Sequence, residues 1–382
     1  MKSRHSTEIT LLLMACSWNP STRRNESIVS LLERYTPDWD RLLTLANYHR
    51  LTPFLYHALN EVPSVPDAFR ASLRQECLHR TTDNLIKLQE YHRIAAVLDK
   101  QAIGYIPFKG IYLAEHSYPE RGLRPIGDMD ILVDQKDVQR VIDILSPDGY
   151  RIGDKHKPYL EHPAGVIWDE LSEISLFKPY FDTSRFDIDL HWRVNSLLRE
   201  IGEFEVSDFR STPDLIIENQ VILLVLHHGV NNSWERIGYI NDLYFLLHRQ
   251  DLNWEWLLKK VEQHQLERIF FTGLYWCQAI WEFPVMAEVQ QQMDMYNLAR
   301  LTEIREKRWE NEQPALFRTL LVDFASTKVA LIDKLNVYGH YTRSFMFRST
   351  VITIDSHSFF IPKRWGFLTA MVRVFLSLMR AR

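Results

Sequence analysis

The segment from Ile103 to Val133 most constrains what this chain can fold into, because two short apolar runs enclose a turn, a helical stretch and a loop. The run Ile103–Phe108 is typical of a buried strand. It ends at Lys109-Gly110, where glycine permits a tight turn and a close approach of the backbone. The turn-rich stretch PERGLRPIG then leads into a second apolar run, Asp128–Val133. The segment therefore predicts the order strand, turn, helix, loop, strand.

The second predicted strand carries two carboxylates, Asp128 and Asp130, whose spacing places them on the same face. The residues that alternate with them are apolar and are expected to point into a core. Adjacent carboxylates repel each other, and their burial without a cation is costly. Mg²⁺ bound by paired carboxylates and substrate phosphates removes that cost. An Asp-x-Asp sequence is more commonly a solvated strand end or a helix cap, so these two residues alone leave both interpretations open.

The order of these elements resembles that of the nucleotidyltransferase superfamily, which has the polymerase-β-like fold. The chain is more closely similar to a family of uncharacterised nucleotidyltransferases, whose core reads Leu-Lys-Gly, Tyr-Pro, Arg-Pro and Gly-Asp-x-Asp. The matching positions here are Phe108–Gly110, Tyr118-Pro119, Arg124-Pro125 and Gly127–Asp130. The wider superfamily has Gly-Gly or Gly-Ser shortly before its first aspartate. Lys-Gly replaces it here at a longer spacing, a departure that the closer family shares.

A further pair of carboxylates lies in the sequence FDIDLHW, Phe186–Trp192. Strict alternation places Asp187, Asp189 and His191 on one face of a strand and apolar residues on the other. Without the Asp128 strand, these residues by themselves favour a half-buried strand that has a solvated face. In the resembling family an aspartate stands two residues before His-Trp. The resemblance therefore implies Asp189 as the third carboxylate of the site, with Asp187 as the alternative.

The resemblance implies catalytic and metal-binding roles for Asp128, Asp130 and Asp189 in nucleotidyl transfer with Mg²⁺ or Mn²⁺. In such chemistry two ions stabilise the attacking and leaving oxygens of an in-line displacement. We expect Asp128 and Asp130 to bridge the ions, and Asp189 to hold the ion that lowers the pKa of the acceptor hydroxyl. The expected donor is a nucleoside triphosphate, with ATP as the first choice. The acceptor is an unidentified small molecule or protein that offers a hydroxyl or phosphate group.

Four residues are candidates for binding the nucleotide: Lys109, Gly110, Arg124 and His228. The turn at Lys109-Gly110 precedes a helix, where backbone N–H groups and the helix dipole favour phosphate. Arg124 precedes the Asp128 strand, and a guanidinium matches phosphate oxygens in a bidentate manner. Arg121 in the same loop is a weaker candidate, because a loop arginine is usually a solvated charge. His228 is expected to face the cleft opposite the carboxylates, although a packed core histidine explains it nearly as well.

Helical periodicity surrounds this core on both sides. We predict an α+β fold with a mixed-sheet nucleotidyltransferase core at 102–200, an N-terminal helical lobe at 1–101 and a C-terminal helical domain at 201–382. Asn84 precedes the core on a predicted helix, and the resembling family has an asparagine there, without an assigned role. The apolar stretch Asp214–His228 predicts a buried helix that ends at Gly229.

Two other functions remain open. A non-catalytic protein of the same fold would bind nucleotide without releasing pyrophosphate. The sequence His227-His228 followed by Asp242 is also reminiscent of metal phosphohydrolases, although a complete set of spaced ligands is missing. Neither the residues nor the resemblance shows whether His191, His227, His228 and Asp242 are functional or structural.

Composition and charge limit the classes of partner and the cellular setting that we expect for the protein. The net charge is −4 with both signs spread along the chain, so no strong signal for nucleic-acid binding appears. The cysteines at 16, 77 and 277 lack metal-ligand spacing and favour a reduced, cytoplasmic setting. The apolar run Ile9–Cys16 is short for a signal peptide and favours an amphipathic helix, and no stretch approaches the ~20 residues of a membrane span. Residues 363–382 contain five basic and no acidic side chains, which suits a docked amphipathic helix or contact with an anionic membrane surface.

Overall fold

The computed structural model describes residues 5–16, 22–163, 165–181, 184–194, 206–248, 252–314, 317–328, 330–346, 349–354, 357–365 and 367–368. The fold is α+β, with a mixed five-stranded sheet and many helices, as predicted. The last fourteen positions of the basic C-terminal stretch, 369–382, lie outside the described residues. Among the described residues no helix is both long and apolar enough to cross a membrane.

The chain forms two compact units. Unit 1 comprises Met1–Val97, Phe108–Gly127 and Thr212–Leu320, and unit 2 comprises Leu98–Pro107, Asp128–Ser211 and Leu321–Arg382. The units therefore alternate along the chain, whereas the three segments predicted from the sequence follow one another. Unit 1 joins three separate stretches of the chain, and within it the Nε2 atom of His49 lies 2.8 Å from the carbonyl oxygen of Trp309.

The helices have the following bounds in chain order: α1 (Thr7–Ala15), α2 (Thr22–Arg34), α3 (Trp39–Tyr48), α4 (Thr52–Leu59), α5 (Asp67–Lys100), α6 (Lys109–His116), α7 (Val138–Leu145), α8 (Lys157–Leu160), α9 (Gly165–Glu170), α10 (Val206–Ser211), α11 (Ile216–Leu224), α12 (Ile237–Leu247), α13 (Trp254–Gln263), α14 (Glu267–Trp281), α15 (Ala287–Asp294), α16 (Leu298–Glu306), α17 (Phe317–Thr327) and α18 (Leu331–Met346). A π-helix, Val225–Asn231, directly continues α11. The predicted N-terminal helix corresponds to α1, which begins with Ser6 as its N-cap and buries Ile9, Leu11 and Leu12.

The strands are β1 (Tyr105–Pro107), β2 (Met129–Val133), β3 (Arg151–Ile152), β4 (Glu173–Phe181), β5 (Ser184–His191), β6 (Thr350–Ile354) and β7 (His357–Ile361). The main sheet has the order β1-β2-β5-β4-β3, in which only the β2–β5 pair among the recorded pairs is parallel. The strand, turn, helix, loop, strand order predicted for 103–133 is confirmed. β4 and β5 pair in the antiparallel direction.

Two details of the C-terminal prediction are wrong. The segment predicted as wholly helical contains the antiparallel pair β6–β7. Gly229 does not end a helix, because the π-helix continues to Asn231. A Cβ at Gly229 would lie 2.9 Å from Ile269 Cγ1 and 3.1 Å from the Trp234 ring, so this glycine permits close packing instead. Gly273 has the same role, since its Cβ would lie 2.6 Å from Leu243 Cδ2.

Candidate functional site

The parallel pairing of β2 with β5 brings two predicted carboxylates together in unit 2. Asp130 lies in register with Asp189, and Leu132 with His191. Side chains on paired positions of neighbouring strands point to the same face of the sheet. Ligand atoms of Asp130, Asp189 and His191 all lie within 4.8 Å of one another. Two carboxylates and an imidazole thus converge at one position of the sheet.

Two of the three residues in this cluster are almost completely buried. Asp130 is 1% exposed and His191 is 3% exposed. The Nε2 atom of His191 lies 2.9 Å from Oδ1 of Asp130, and its Nδ1 atom lies 3.4 Å from Oε2 of Glu173. Glu173 comes from β4, where it is paired with His191 across the antiparallel ladder. The imidazole therefore lies between two carboxylates.

Asp189 is the carboxylate with the most perturbed surroundings in this cluster. Burial and the negative charges of Glu173, Asp128 and Asp130 together raise its pKa to about 6, while a hydrogen bond from Ser175 acts in the opposite direction. The Ser175 hydroxyl donates to Oδ1 of Asp189 from the paired position on β4. A half-buried carboxylate that its neighbours destabilise as an anion is what a cation would stabilise.

The hydroxyl of Ser175 has a second neighbour, His156, whose Nε2 lies 3.4 Å away. His156 is 4% exposed, and its Nδ1 has no hydrogen-bond partner among the described residues. Burial lowers the pKa of His156 to about 4, so the ring is neutral near pH 7. Because Ser175 donates its proton to Asp189, the His156 ring must donate from Nε2, which leaves Nδ1 as the unprotonated nitrogen.

The two remaining sequence candidates near this cluster differ from each other. Asp128 is half-buried immediately before β2, and its charge contributes to the raised pKa of Asp189. Asp187, the alternative third carboxylate, forms an ion pair with Arg185 at 2.9 Å and lies opposite Phe177. The register therefore places Asp189, and not Asp187, beside Asp130.

Unit 1 contains a separate buried network around Asp242. The guanidinium of Arg124 donates from Nε to Oδ1 of Asp242 at 2.6 Å and from Nη2 to Oδ2 at 2.9 Å. The Tyr118 hydroxyl donates to Oδ1 at 2.6 Å, and Nε2 of His228 lies 3.0 Å from Oδ2. Burial by itself would raise the pKa of Asp242, but Arg124 and His228 outweigh it and hold that pKa well below its usual range.

This network bears on the predicted roles of Arg124 and His228. Arg124 is 3% exposed and His228 is 1% exposed, and burial lowers the pKa of His228 to about 4. A triphosphate could reach Arg124 only by breaking its pair with Asp242. Direct nucleotide contact by either residue stays a prediction, and their burial favours a structural role. The guanidinium also occupies the place that a metal ion would need beside Asp242, which disfavours the metal phosphohydrolase alternative.

The loop that carries Arg124 is held by two side chains of α5. Asn84 donates through Nδ2 to the carbonyl oxygens of Arg121 and Arg124, both at 2.8 Å, and accepts from the Ile126 N–H at 2.8 Å. The Nζ of Lys87 donates to the carbonyl oxygens of Ile126 and Gly127 at 2.8 Å. Asn84, which had no assigned role, is thus the residue that satisfies the backbone of this loop.

Lys109 and Gly110 open α6 in unit 1. Lys109 has a positive φ of 53°, so the turn predicted at this position is sharp. Its Nζ lies 4.8 Å from the centroid of the Phe108 ring, and Gly110 is buried. Arg121, the weaker candidate, is exposed.

Three residues around Asp130, Asp189 and His191 were not predicted as site residues: Glu173, Ser175 and His156. The alternation in EISLF places Glu173 and Ser175 on one face of β4, so their spacing was a usable signal once β4 and β5 were paired. His156 ends a short 3₁₀ turn, Asp154–His156, and no periodicity marks it.

The comparisons with known proteins agree with this picture at the level of the family. A family model described as "Uncharacterised nucleotidyltransferase" matches residues 35–282, which include both the carboxylate cluster and the Asp242 network. No curated protein and no solved structure matches the chain.

Proposed function

Since the chain belongs to the uncharacterised nucleotidyltransferase family, we propose that it transfers a nucleoside monophosphate from a nucleoside triphosphate to an acceptor and releases pyrophosphate. The acceptor is a small molecule or a protein that offers a hydroxyl or phosphate oxygen. The proposal assigns the fold of the β1–β5 sheet to the polymerase-β-like class. The observation that supports it most is the in-register pair Asp130 and Asp189 on parallel strands.

The donor set of this cluster suits a divalent cation. Carboxylate oxygens within 4.8 Å of one another can share an ion, and the pKa of Asp189 is raised by burial and by the negative charges of Glu173, Asp128 and Asp130, which a cation would offset. Asp130 and Asp189 would hold the cation, with Asp128 completing the carboxylate set that the sequence predicts. A divalent cation supplies charge stabilisation to the triphosphate and lowers the pKa of a bound hydroxyl.

Asp189 is the proposed proton acceptor. As the acceptor oxygen bonds to the α-phosphorus, the bond from phosphorus to the pyrophosphate oxygen breaks, and the hydroxyl proton passes to Asp189. The pKa of Asp189 is about 6 without metal, and a bound cation would lower it, so the carboxylate is ionised and able to accept a proton near neutral pH. Ser175 orients the carboxylate by donating to one of its oxygens.

Lys109 and Gly110 are proposed to bind phosphate oxygens. The first-turn N–H groups at the start of α6 have no acceptor within the helix, and anions are favoured at such a position. Arg124 and His228 act through the buried Asp242 network, which stabilises the loop in which Arg124 lies.

The decisive experiment compares Asp189→Asn with Asp187→Asn. Both aspartates lie on the same face of β5, two residues apart, and only Asp189 lies beside Asp130. Metal-dependent pyrophosphate release from each NTP is measured with a cell extract as the source of acceptors, and with the protein itself as a candidate acceptor.

We expect Asp189→Asn and Asp130→Asn to lower the rate by about 100-fold or more, because groups that stabilise transition-state charge have effects of that size. Asp187→Asn is expected to stay near the wild-type rate. Nucleotide binding without release in any extract would instead support the non-catalytic alternative. Equal losses in Asp187→Asn and Asp189→Asn would contradict the assignment of the site.

A further inference from the structure

The cluster in unit 2 contains a nitrogen donor that an all-carboxylate site lacks. His191 lies on β5 with Asp189, and its Nε2 is 2.9 Å from Oδ1 of Asp130. One ligand atom from each of Asp130, Asp189 and His191 lies within 4.8 Å of the other two. An ion bound by the two carboxylates would therefore have an imidazole nitrogen within reach.

Glu173 determines how this imidazole can act. Its Oε2 lies 3.4 Å from Nδ1 of His191, on the opposite side of the ring from Asp130. Histidines that bind metal ions almost always donate their other ring N–H to a carboxylate or carbonyl, which fixes the tautomer. A proton on Nδ1, which lies 3.4 Å from Glu173 without forming a hydrogen bond to it in this structure, leaves the lone pair of Nε2 directed to the position between His191 and Asp130.

We propose that His191 is a metal ligand through Nε2, that Glu173 orients it, and that the centre binds a divalent transition-metal ion in preference to Mg²⁺. The proposal rests on the proposed function for the presence of a metal ion, but not on the transfer reaction. Mg²⁺ prefers an octahedron of oxygen ligands, whereas imidazole is a ligand of transition metals. One imidazole among a few ligands therefore shifts the preference of the site away from Mg²⁺ and towards transition-metal ions.

The proposed metal site differs in its ligands from the site predicted from the sequence. That site consists of Asp128, Asp130 and Asp189 and binds Mg²⁺ or Mn²⁺ through oxygen alone. In the structure Asp128 is half-buried and lies before β2, whereas His191 is 3% exposed and within the cluster. The burial of His191, with Nε2 2.9 Å from Oδ1 of Asp130, places a ring nitrogen where it can join the two carboxylates in binding an ion.

The experiment uses Mn²⁺ as the probe, without nucleotide, and measures pulsed electron paramagnetic resonance of the full chain. A directly bound imidazole produces a nitrogen-14 coupling to the manganese spin. We expect this coupling in the wild-type protein and its replacement by a nitrogen-15 signal when only the histidines carry nitrogen-15. The isotope comparison needs no variant, so a folding defect cannot obscure it. A manganese spectrum with oxygen ligands alone would overturn the proposal.

Variants then identify the ring. His191→Gln is expected to abolish the nitrogen coupling and to weaken Mn²⁺ binding by at least about tenfold, with a smaller effect on Mg²⁺. Glu173→Gln is expected to keep the coupling and to weaken Mn²⁺ binding by about tenfold. The matched control is His162→Gln, which removes a unit 2 histidine that lies 2.9 Å from Ser358 and outside the cluster. It is expected to change neither the coupling nor the affinity.

The outcomes separate this inference from the proposed function. Mn²⁺ that binds through oxygen alone, and is lost in Asp130→Asn, contradicts the role of His191 and leaves the nucleotidyltransferase proposal intact. Mn²⁺ binding that is insensitive to both Asp130→Asn and His191→Gln overturns the metal site itself. Nitrogen coupling without pyrophosphate release supports the metal centre and contradicts the transfer reaction.

Discussion

Asp187 and Asp189 share one face of β5, but their electrostatic surroundings are opposite. Asp187 has the Arg185 guanidinium at 2.9 Å, and the pair is substantially exposed. Asp189 is surrounded by Glu173, Asp128 and Asp130, and burial together with these charges raises its pKa to about 6. At the scale of single residues, the functional carboxylate is therefore the one whose charge its neighbours oppose.

Asp189→Asn is expected to stabilise the metal-free protein near neutral pH. The folded-state pKa of Asp189 lies above the unfolded value of about 3.9, so its contribution to stability is complete below that pH and is lost as pH rises through 6. Removing the charge should therefore raise the free energy of unfolding by on the order of 2 kcal/mol near pH 7, and by little near pH 4. Denaturant unfolding in the presence of a chelator measures this.

The control for this prediction is Asp187→Asn, which should not stabilise the protein. It removes an exposed ion pair whose contribution is about 0–1 kcal/mol. A stability gain of the same size in both variants, or a gain for Asp189→Asn that does not depend on pH, would contradict the explanation.

The loop 121–127 shows how one element supports another. The Leu123 N–H donates to the Glu120 carbonyl oxygen in a turn, and the other buried carbonyl and N–H groups of the loop must also find partners. Asn84 and Lys87, one turn apart on α5, satisfy four carbonyl oxygens and one N–H of this loop. Lys87 is itself balanced by Asp83 at 2.7 Å. The helix thus provides the hydrogen bonds that a strand would otherwise supply.

Asn84→Ala is expected to destabilise the protein by about 3 kcal/mol, because it leaves two carbonyl oxygens and one N–H buried without partners. Thermal unfolding of the variant measures this. Asn60→Ala, at the half-buried end of α4, is the matched control and should cost less than about 1 kcal/mol. Equal effects of the two substitutions would show that the loop finds other partners.

The whole molecule handles buried charge in two different ways. In unit 1 the carboxylate of Asp242 is matched by the guanidinium of Arg124 and by N–H and O–H donors. In unit 2 the carboxylates of Asp130 and Asp189 have each other, Glu173 and Asp128 as neighbours, with a single imidazole and a hydroxyl. The first arrangement supports folding, while the second is suited to a bound cation.

Asp242→Asn is therefore expected to have the opposite effect to Asp189→Asn. Removal of one partner from a buried ion pair leaves the Arg124 charge without compensation, which typically costs about 3–5 kcal/mol. Denaturant unfolding checks the sign and size. The matched control is Asp67→Asn, whose exposed pair with Arg70 in the same unit should contribute less than about 1 kcal/mol. An Asp242→Asn variant as stable as wild type would contradict the structural role of this network.

Local patterns were sufficient for the strands and helices around the carboxylates. The alternation in DMDILV and FDIDLHW predicted β2 and β5 because side chains on a strand alternate between its faces. Spacing was equally sufficient to place Asp187, Asp189 and His191 on one face. The same local reasoning failed at Gly229, where close packing against Trp234 and Ile269, and not a helix end, explains the glycine.

The sequence by itself determined the α+β class, the strand that carries Asp130 and the family to which the motifs belong, since these depend on residues close together in the chain. Only the tertiary structure decided that Asp189 lies beside Asp130, that His191 lies between Asp130 and Glu173, and that Arg124 is paired with Asp242. Those contacts join residues 18 to 118 positions apart, as for Asp130 with His191 at 61 and Arg124 with Asp242 at 118. Strand register and helix packing set them, and both result from the burial of the whole core, which no local pattern records.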